Sequence, residues 1–365
     1  MTREQRQWDA IVVGASFGGL AAAMELAGSG RVLLIDRSPV GEGQTSACAT
    51  PLSVLERLSA ADAVEQLHSK ILIHGPGGTV TDVVPHHPFA TFDYQALCRT
   101  LLRSTDAAFL QAAVLHRNGD EIVTNEGTFR APVLIDASGW RSVLARSDGR
   151  QRRHSLGIEV TIPVHGEGLQ LWLRPPQVDC GMAWVFPAGD HSRVGVACYR
   201  GQGRLKDRLH AFAPSAVDSR VHGGSFTSGL AASTLPGVFR VGDAAGQCLP
   251  VTGEGIRPAL VFGQLAGRNA RRVIEGESSM DRALRDYRRT VRRRAPYYSF
   301  LSAVQDLLIA MPPRLAGSFA ALIASCFQTS PGQAAYWWAA DPLSLRMGAR
   351  SPSLARAAVR GRATD

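Results

Sequence analysis

The sequence predicts an α/β protein: a mainly parallel sheet flanked by helices, interrupted by antiparallel β segments and followed by a helical C-terminal region. Three observations predict it. A strand, glycine turn, helix, strand and acid follow one another over residues 9–36. A second strand and glycine turn over 237–246 lead into an apolar helix. Short alternating β-rich runs lie between the two. The 365 residues suffice for a sizeable core and more than one folding unit. With 45% hydrophobic and 19% charged residues, a disordered chain is excluded. The glycines and prolines are spread along the chain as turns, and no internal repeat is present.

The first unit opens with Asp9-Ala-Ile-Val-Val13, an apolar β-branched run suited to a buried parallel strand. Gly14-Ala15-Ser16-Phe17-Gly18-Gly19 follows at once, then a small-residue helix over 20–26 that ends near Gly28 and Gly30. A second strand over 31–35 ends at Asp36, with Arg37 next. This order and spacing predict a dinucleotide site. Gly14 permits the tight turn, the backbone from Ala15 to Gly18 approaches a pyrophosphate, and Gly19 lets the helix pack against the strand. The helix N-terminus presents unpaired N–H groups to phosphate. Asp36 accepts hydrogen bonds from a ribose hydroxyl pair. Ser16 stands where the glycine fingerprint has its second glycine; it is small, and its hydroxyl can itself bond a phosphate.

The second unit is a strand-like run over 237–241, then Gly242-Asp243-Ala244-Ala245-Gly246. Pro250-Val251-Thr252-Gly253-Glu254-Gly255-Ile256 then opens an apolar helix that runs through Leu265. Asp243, just past a strand end, suits the ribityl or ribose hydroxyls of an extended cofactor. The helix start aims N–H dipoles at whatever lies beyond, as the negative end of a reduced flavin requires. Two such segments predict FAD rather than NAD, because a nicotinamide dehydrogenase has no need of the second.

The second unit resembles the corresponding segment of the geranylgeranyl reductase family, within the larger p-hydroxybenzoate hydroxylase-like flavoprotein superfamily. The resemblance covers most of residues 8–275. Ile135-Asp136-Ala137-Ser138-Gly139, continuing to Arg146, is similar to the superfamily's middle motif. That motif implies a turn near the cofactor pyrophosphate, with Asp136 in the cofactor site, and in related hydroxylases it is tied to NAD(P)H use. Phe92-Asp93-Tyr94 with Leu97, Arg99 and Leu101 resembles the helix that brings an arginine to the flavin phosphates. Gly181-Met-Ala-Trp184-Val-Phe186-Pro187, followed by Val194-Gly195-Val196, resembles a geranylgeranyl reductase signature and implies that Trp184 lies on the pocket side of the flavin. Read from alternation alone, Trp184 and Phe186 are core residues. Cys48, within residues 43–50, resembles the cysteine that several prenyl reductases carry beside the flavin, which implies a part in proton delivery or substrate placement. This chain lacks the glycines that follow it there, and a packed structural thiol is the other reading.

The resemblance implies a Rossmann-like FAD-binding domain assembled from 8–50, 95–150 and 235–275. It implies an interleaved antiparallel substrate domain from 51–94 and 151–234, and a helical region over 276–365. The implied activity is an FAD-dependent oxidoreductase that reduces or oxidises carbon–carbon bonds of an apolar, isoprenoid-like small molecule or lipid. Hydride transfer occurs at flavin N5, NAD(P)H is the candidate electron donor, and Cys48, Trp184 and Glu254 are the catalytic candidates. Glu254 serves equally as a structural residue at the helix start. The alternatives are an NAD(P)H-dependent flavin monooxygenase, a halogenase and a redox-neutral flavoprotein such as a cyclase. Halogenase chemistry relies on a pocket lysine, and Lys70 and Lys206, the only lysines, lie in no matching motif.

The net charge of +9 is carried by arginine, clustered at Arg288-Arg289, at Arg292-Arg293-Arg294 and from Arg346 to Arg362. This predicts a solvated helix face and a loose basic tail, or peripheral contact of the basic C-terminal region with an anionic membrane. No nucleic-acid motif accompanies the charge. The six cysteines form no C-x-x-C pair, so neither a zinc site nor a redox dithiol is expected, and no metal is predicted. Residues 1–8 are charged and polar, unlike a signal peptide, and a cytoplasmic location is expected. The apolar stretch 315–327 is too short to span a bilayer. His86-His87 matches no metal spacing and is read as surface, while Tyr297-Tyr298 and Tyr336-Trp337-Trp338 pack on the core or close over an apolar substrate.

Overall fold

A computed structural model describes residues 7–76, 78–145, 154–200, 204–216 and 219–343. Arg146 and the arginines from 346 to 362 lie outside the described residues.

The parallel sheet is built on β1 (Ala10–Val13), whose four side chains are all buried. Beside it lie β2 (Val32–Asp36) and then β8 (Ala108–Gln111) on one side. On the other lie β12 (Val133–Asp136), β19 (Val238–Arg240) and the short antiparallel β18 (Thr234–Leu235). The glycine turn feeds α1 (Phe17–Glu25), and α5 (Ile256–Ile274) packs directly on it. Glycines make the close approach possible: a Cβ on Gly263 would sit 2.3 Å from the Gly18 carbonyl, and one on Gly267 would sit 2.5 Å from that of Ala22. An antiparallel meander of β9 (Val114–Asn118), β10 (Glu121–Thr124) and β11 (Gly127–Arg130) is inserted before β12.

The second sheet has seven strands in the order β17 (His222–Thr227), β13 (His154–Ile162), β16 (His191–Cys198), β15 (Gly181–Ala188), β14 (Leu169–Leu173), β5 (Ile71–His74) and β6 (Val80–Val83). All pairings are antiparallel except β14 with β5. Strand alternation sorts its side chains. Val160, Ala183, Val194 and Val196 pack toward α4 (Leu205–Phe212), whereas Leu171, Met182, Trp184 and Ala197 belong to a separate cluster on the opposite side. A smaller sheet of β3 (Ala49–Pro51), β7 (Phe89–Phe92) and β4 (Val64–His68) lies near α2 (Leu52–Arg57) and α3 (Tyr94–Arg103).

The C-terminal region forms α6 (Met280–Arg292), α7 (Ala295–Ala310), α8 (Pro313–Gln328) and α9 (Ser330–Ala340). Prolines set its joints: Pro312-Pro313 starts α8 and Pro331 stands in the first turn of α9, where a missing N–H costs nothing. Arg288, Arg289, Arg292 and Arg293 are exposed, but Arg294 is buried, donates to the Thr290 carbonyl at 2.8 Å and lies 4.8 Å over the Trp338 ring. No helix among the described residues is long and apolar enough to cross a membrane.

Candidate active site

A single cavity of about 1020 Å³ runs from the glycine turn after β1, past the start of α5, to α9. Its dinucleotide end is assembled from strand ends. Gly14 adopts φ +105°, and a Cβ there would lie 2.2 Å from the Ala137 carbonyl at the end of β12. A Cβ on Gly19 would strike the Gly14 carbonyl, so both glycines are sterically required. Asp36 ties the turn down: its carboxylate accepts from Ala15 N at 2.7 Å and from Ser38 N at 2.9 Å. Ser16 stands at the N-cap of α1 without a side-chain cap on the first-turn N–H groups. Its hydroxyl accepts from Tyr94 OH at 3.2 Å. Uncapped N–H groups beside a cradle that any side chain would fill make an anion site.

Asp243, at the foot of β19, borders the same cavity, and burial pushes its carboxyl up to about 7. A carboxyl so placed welcomes hydroxyl donors from a ligand. Gly255 caps α5, again with no side-chain partner for the first N–H groups. The glycine cradle, Asp36, Asp243 and two uncapped helix starts along one cleft suit an adenine dinucleotide with a flavin at its far end.

Beyond the dinucleotide cleft the walls turn apolar. Ile73, Leu171, Met182, Phe226 and Phe327 line this part, with Trp184 on the sheet side and Trp337 from α9 opposite. Glu254 borders the cavity but is held by Nε and Nη2 of the fully buried Arg257, at 2.7 and 2.8 Å. The Arg257 guanidinium lies 5.1 Å from the Tyr336 ring centroid and 4.6 Å from that of Trp337, so α9 is braced over the cavity through this ion pair. Glu254 is thereby engaged in structure, as the second reading of it had it.

The structure brings Gly14, Ala15, Ser16, Phe17, Gly18, Asp36, Arg37, Trp184, Gly242, Asp243, Gly253, Glu254, Gly255 and Ile256 to one cavity. Gly19 lies beneath it. Three of the expected site residues do not line this cavity. Arg99 sits on the exposed side of α3, because the helical period turns Tyr94, Leu97, Cys98 and Leu101 inward instead. Asp136 is fully buried, with its oxygens taken by Ser138 Oγ at 2.6 Å and Ser142 Oγ at 2.7 Å, so it shapes the turn and does not border the cavity. Cys48 is fully buried at φ +53° and donates to the Ser46 carbonyl at 3.2 Å. Its neighbours Ser46, Ala47 and Ala49 line the cavity and it does not. Burial pushes its thiol well above the ordinary range, so it is a packed thiol. His86 and His87, read as surface, are exposed at the rim of the cavity, with His87 4.5 Å from the Trp337 ring.

One lining residue escaped the sequence reading. Glu159, at the middle of β13, is buried and accepts from Trp184 Nε1 at 3.0 Å. The available signal was a lone carboxylate between Ile158 and Val160 in the middle of the strand.

No family model matches the chain. Among curated proteins it is similar to the digeranylgeranylglycerophospholipid reductase of Methanocaldococcus jannaschii, 26% identical over 333 residues, covering 80% of this chain and 84% of the relative. The enzyme of the same name from Methanococcus aeolicus is 25% identical over 333 residues, covering 81% and 84%. Among solved structures it is similar to a geranylgeranyl bacteriochlorophyll reductase-like protein from Thermoplasma acidophilum, with TM-score 0.77 at 18% identity, covering 93% of this chain and 98% of the other. Pseudomonas aeruginosa PqsL, in complex with 2-aminobenzoylacetate, superposes with TM-score 0.66 at 18% identity, covering 86% and 99%. With a cleft that suits both ends of a flavin dinucleotide, the chain is an FAD-dependent oxidoreductase, similar over most of its length to digeranylgeranylglycerophospholipid reductases and alike in fold to a geranylgeranyl bacteriochlorophyll reductase-like protein.

Proposed function

We propose that this protein reduces a carbon–carbon double bond in a long apolar, isoprenoid-like substrate. The observation that carries the proposal is the continuity of the cavity: a dinucleotide cradle opens directly into a largely apolar chamber. When bound, reduced FAD supplies a hydride from N5, and NAD(P)H is the proposed source of those electrons. The first-turn N–H groups of α1 hold the pyrophosphate, Asp36 the adenosine ribose, and Asp243 the ribityl hydroxyls. The N-terminus of α5 favours negative charge at the far ring edge. Leu171, Met182, Trp184 and Phe226 exclude water and orient an apolar chain.

Entry from a membrane fits the outer surface. Phe300, Leu307, Leu315 and Leu322 on α7 and α8 are exposed, beside the exposed arginines of α6. We propose that this region touches an anionic bilayer peripherally, so that a lipid substrate need not cross water.

The test is to identify the cofactor released from purified protein, then mix anaerobically reduced enzyme with C20 prenyl glycerol ethers and C20 prenyl alcohols. Flavin reoxidation with a mass gain of two hydrogens per double bond is the expected result. Absence of turnover with every prenyl probe overturns the isoprenoid reading. Oxygen uptake stimulated by an aromatic substrate instead would identify a monooxygenase.

A further inference from the structure

Four residues stand in one row across the cavity sheet. Trp184 on β15 pairs with Gly195 on β16, Gly195 pairs with Glu159 on β13, and Glu159 pairs with His222 on β17. Directly opposed residues share a face of the sheet, and Trp184 and Glu159 both line the cavity. The indole lies across Gly195, where a Cβ would come within 2.1 Å of Trp184 Cζ2, and so reaches two strands over to Glu159. Glu159 Oε1 meets His222 Nε2 at 2.9 Å and accepts from Gln44 Nε2 at 3.4 Å, while Oε2 accepts from Trp184 Nε1 at 3.0 Å.

A carboxyl with 2% of its side chain exposed is costly to bury in a largely apolar wall. A closed sheet row with a glycine at its centre is a specific device for keeping it there. Its partner His222 retains 28% exposure. Of the other charged and titratable groups around Glu159, Arg193 is held by Glu65 at 2.7 Å, and Cys48 is fully buried. His222 is therefore the group that both touches the carboxyl and meets solvent. A solvent-linked imidazole, a buried carboxyl and a reaction chamber in series form a proton path.

We infer that Glu159 is the proton donor to the substrate and that His222 reloads it. This rests on the double-bond reduction proposed above. Bound reduced flavin would supply the two electrons as a hydride to one alkene carbon; Glu159 would give its carboxyl proton to the other carbon, which takes it with the π pair. Glu159 is left as carboxylate. The His222 imidazolium returns a proton from Nε2 to Oε1, and the neutral imidazole recovers one from water. Trp184 is a positioning residue, whose indole N–H fixes Oε2 of the carboxyl.

The test compares FAD-loaded wild type with Glu159→Gln, His222→Gln and Trp184→Phe, each reduced anaerobically and mixed with a C20 prenyl glycerol ether. Glu159→Gln is expected to slow flavin reoxidation about 100-fold, the usual scale for losing a general acid, with FAD affinity and melting temperature unchanged. His222→Gln is expected to remove the pH dependence of the rate on repeated turnover. Trp184→Phe, which removes one donor to the carboxylate, is expected to shift the rate profile to higher pH. Independently of turnover, the His222 ring signals in the NMR spectrum of oxidised protein are expected to move in Glu159→Gln, because the substitution replaces the oxygen that Nε2 meets at 2.9 Å. If Glu159→Gln fails to hold FAD, the Trp184→Phe profile decides, and an unshifted profile overturns the assignment. A Glu159→Gln rate within about threefold of wild type, or unmoved His222 ring signals, overturns it as well. Wild type that turns over no prenyl probe defeats the reductase reading itself, and is distinguished by the intact wild-type control.

Discussion

Replacing Gly195 with alanine tests the cavity wall most directly. The added methyl carbon would lie 2.1 Å from Trp184 Cζ2, 2.4 Å from Cε2 and 2.7 Å from the Ile158 carbonyl. The carbonyl belongs to the sheet and does not yield, so the indole must move. Trp184 is only 8% exposed and borders the cavity, so the indole shifts toward that side. Forced overpacking costs about 1–3 kcal/mol. Displacing the indole also breaks its 3.0 Å hydrogen bond to Glu159, worth about 0.5–1.5 kcal/mol. Together these predict a loss of about 1.5–4.5 kcal/mol in unfolding free energy. The assay is guanidinium unfolding of the FAD-loaded protein, followed by far-ultraviolet circular dichroism and by flavin release. The double variant Trp184→Ala/Gly195→Ala supplies the control. With the indole gone, only the contact with the Ile158 carbonyl remains, so the alanine at 195 should cost less in the Trp184→Ala background than in the wild type. A single-variant loss below about 1 kcal/mol would refute the reasoning, as would full additivity of the two changes.

Two further predictions concern buried charge. Arg257→Ala leaves the Glu254 carboxylate unpaired beside the start of α5 and is expected to cost about 3–5 kcal/mol; Arg257→Met with Glu254→Gln should recover most of it, as read from denaturant midpoints. His68 is 1% exposed, and burial lowers its imidazole to about 4, so it is neutral in the native protein. The unfolded chain binds the proton first, at its ordinary value near 6.5, so stability falls as pH drops from about 6.5 to about 4. The loss is about 3 kcal/mol in total, and His68→Gln should flatten this segment of the stability–pH curve. A curve unchanged by that substitution would remove His68 as the cause.

The dinucleotide half of the site was legible because its chemistry is local. Gly14, Asp36 and the helix between them fall within one short stretch, where strand and helix periods show directly in the residues. Asp243 and Gly255 were legible for the same reason. Arg99 was misplaced because a motif gives spacing and not helical phase; the apolar stripe through Leu97 and Leu101 fixed the phase and turned Arg99 to solvent. Cys48 was read by neighbourhood, yet a left-handed backbone at that residue points its thiol into the core. The row from Trp184 to His222 was illegible, since its members come from four strands and the Glu159–His222 contact spans 63 positions. Only the sheet register, a non-local property, aligns them.

The interlock of α1 with α5 has a consequence for biosynthesis. Glu25 on the first helix takes a hydrogen bond from Gln264, 239 residues later. A nascent chain that has released the glycine turn thus holds half a nucleotide clamp until α5 emerges and slots its glycines against α1. Cofactor capture is thereby deferred until most of the polypeptide exists, and flavin retention reports that the second half has been made and docked. Products that stop short of residue 256 should be colourless, however well their first strands assemble.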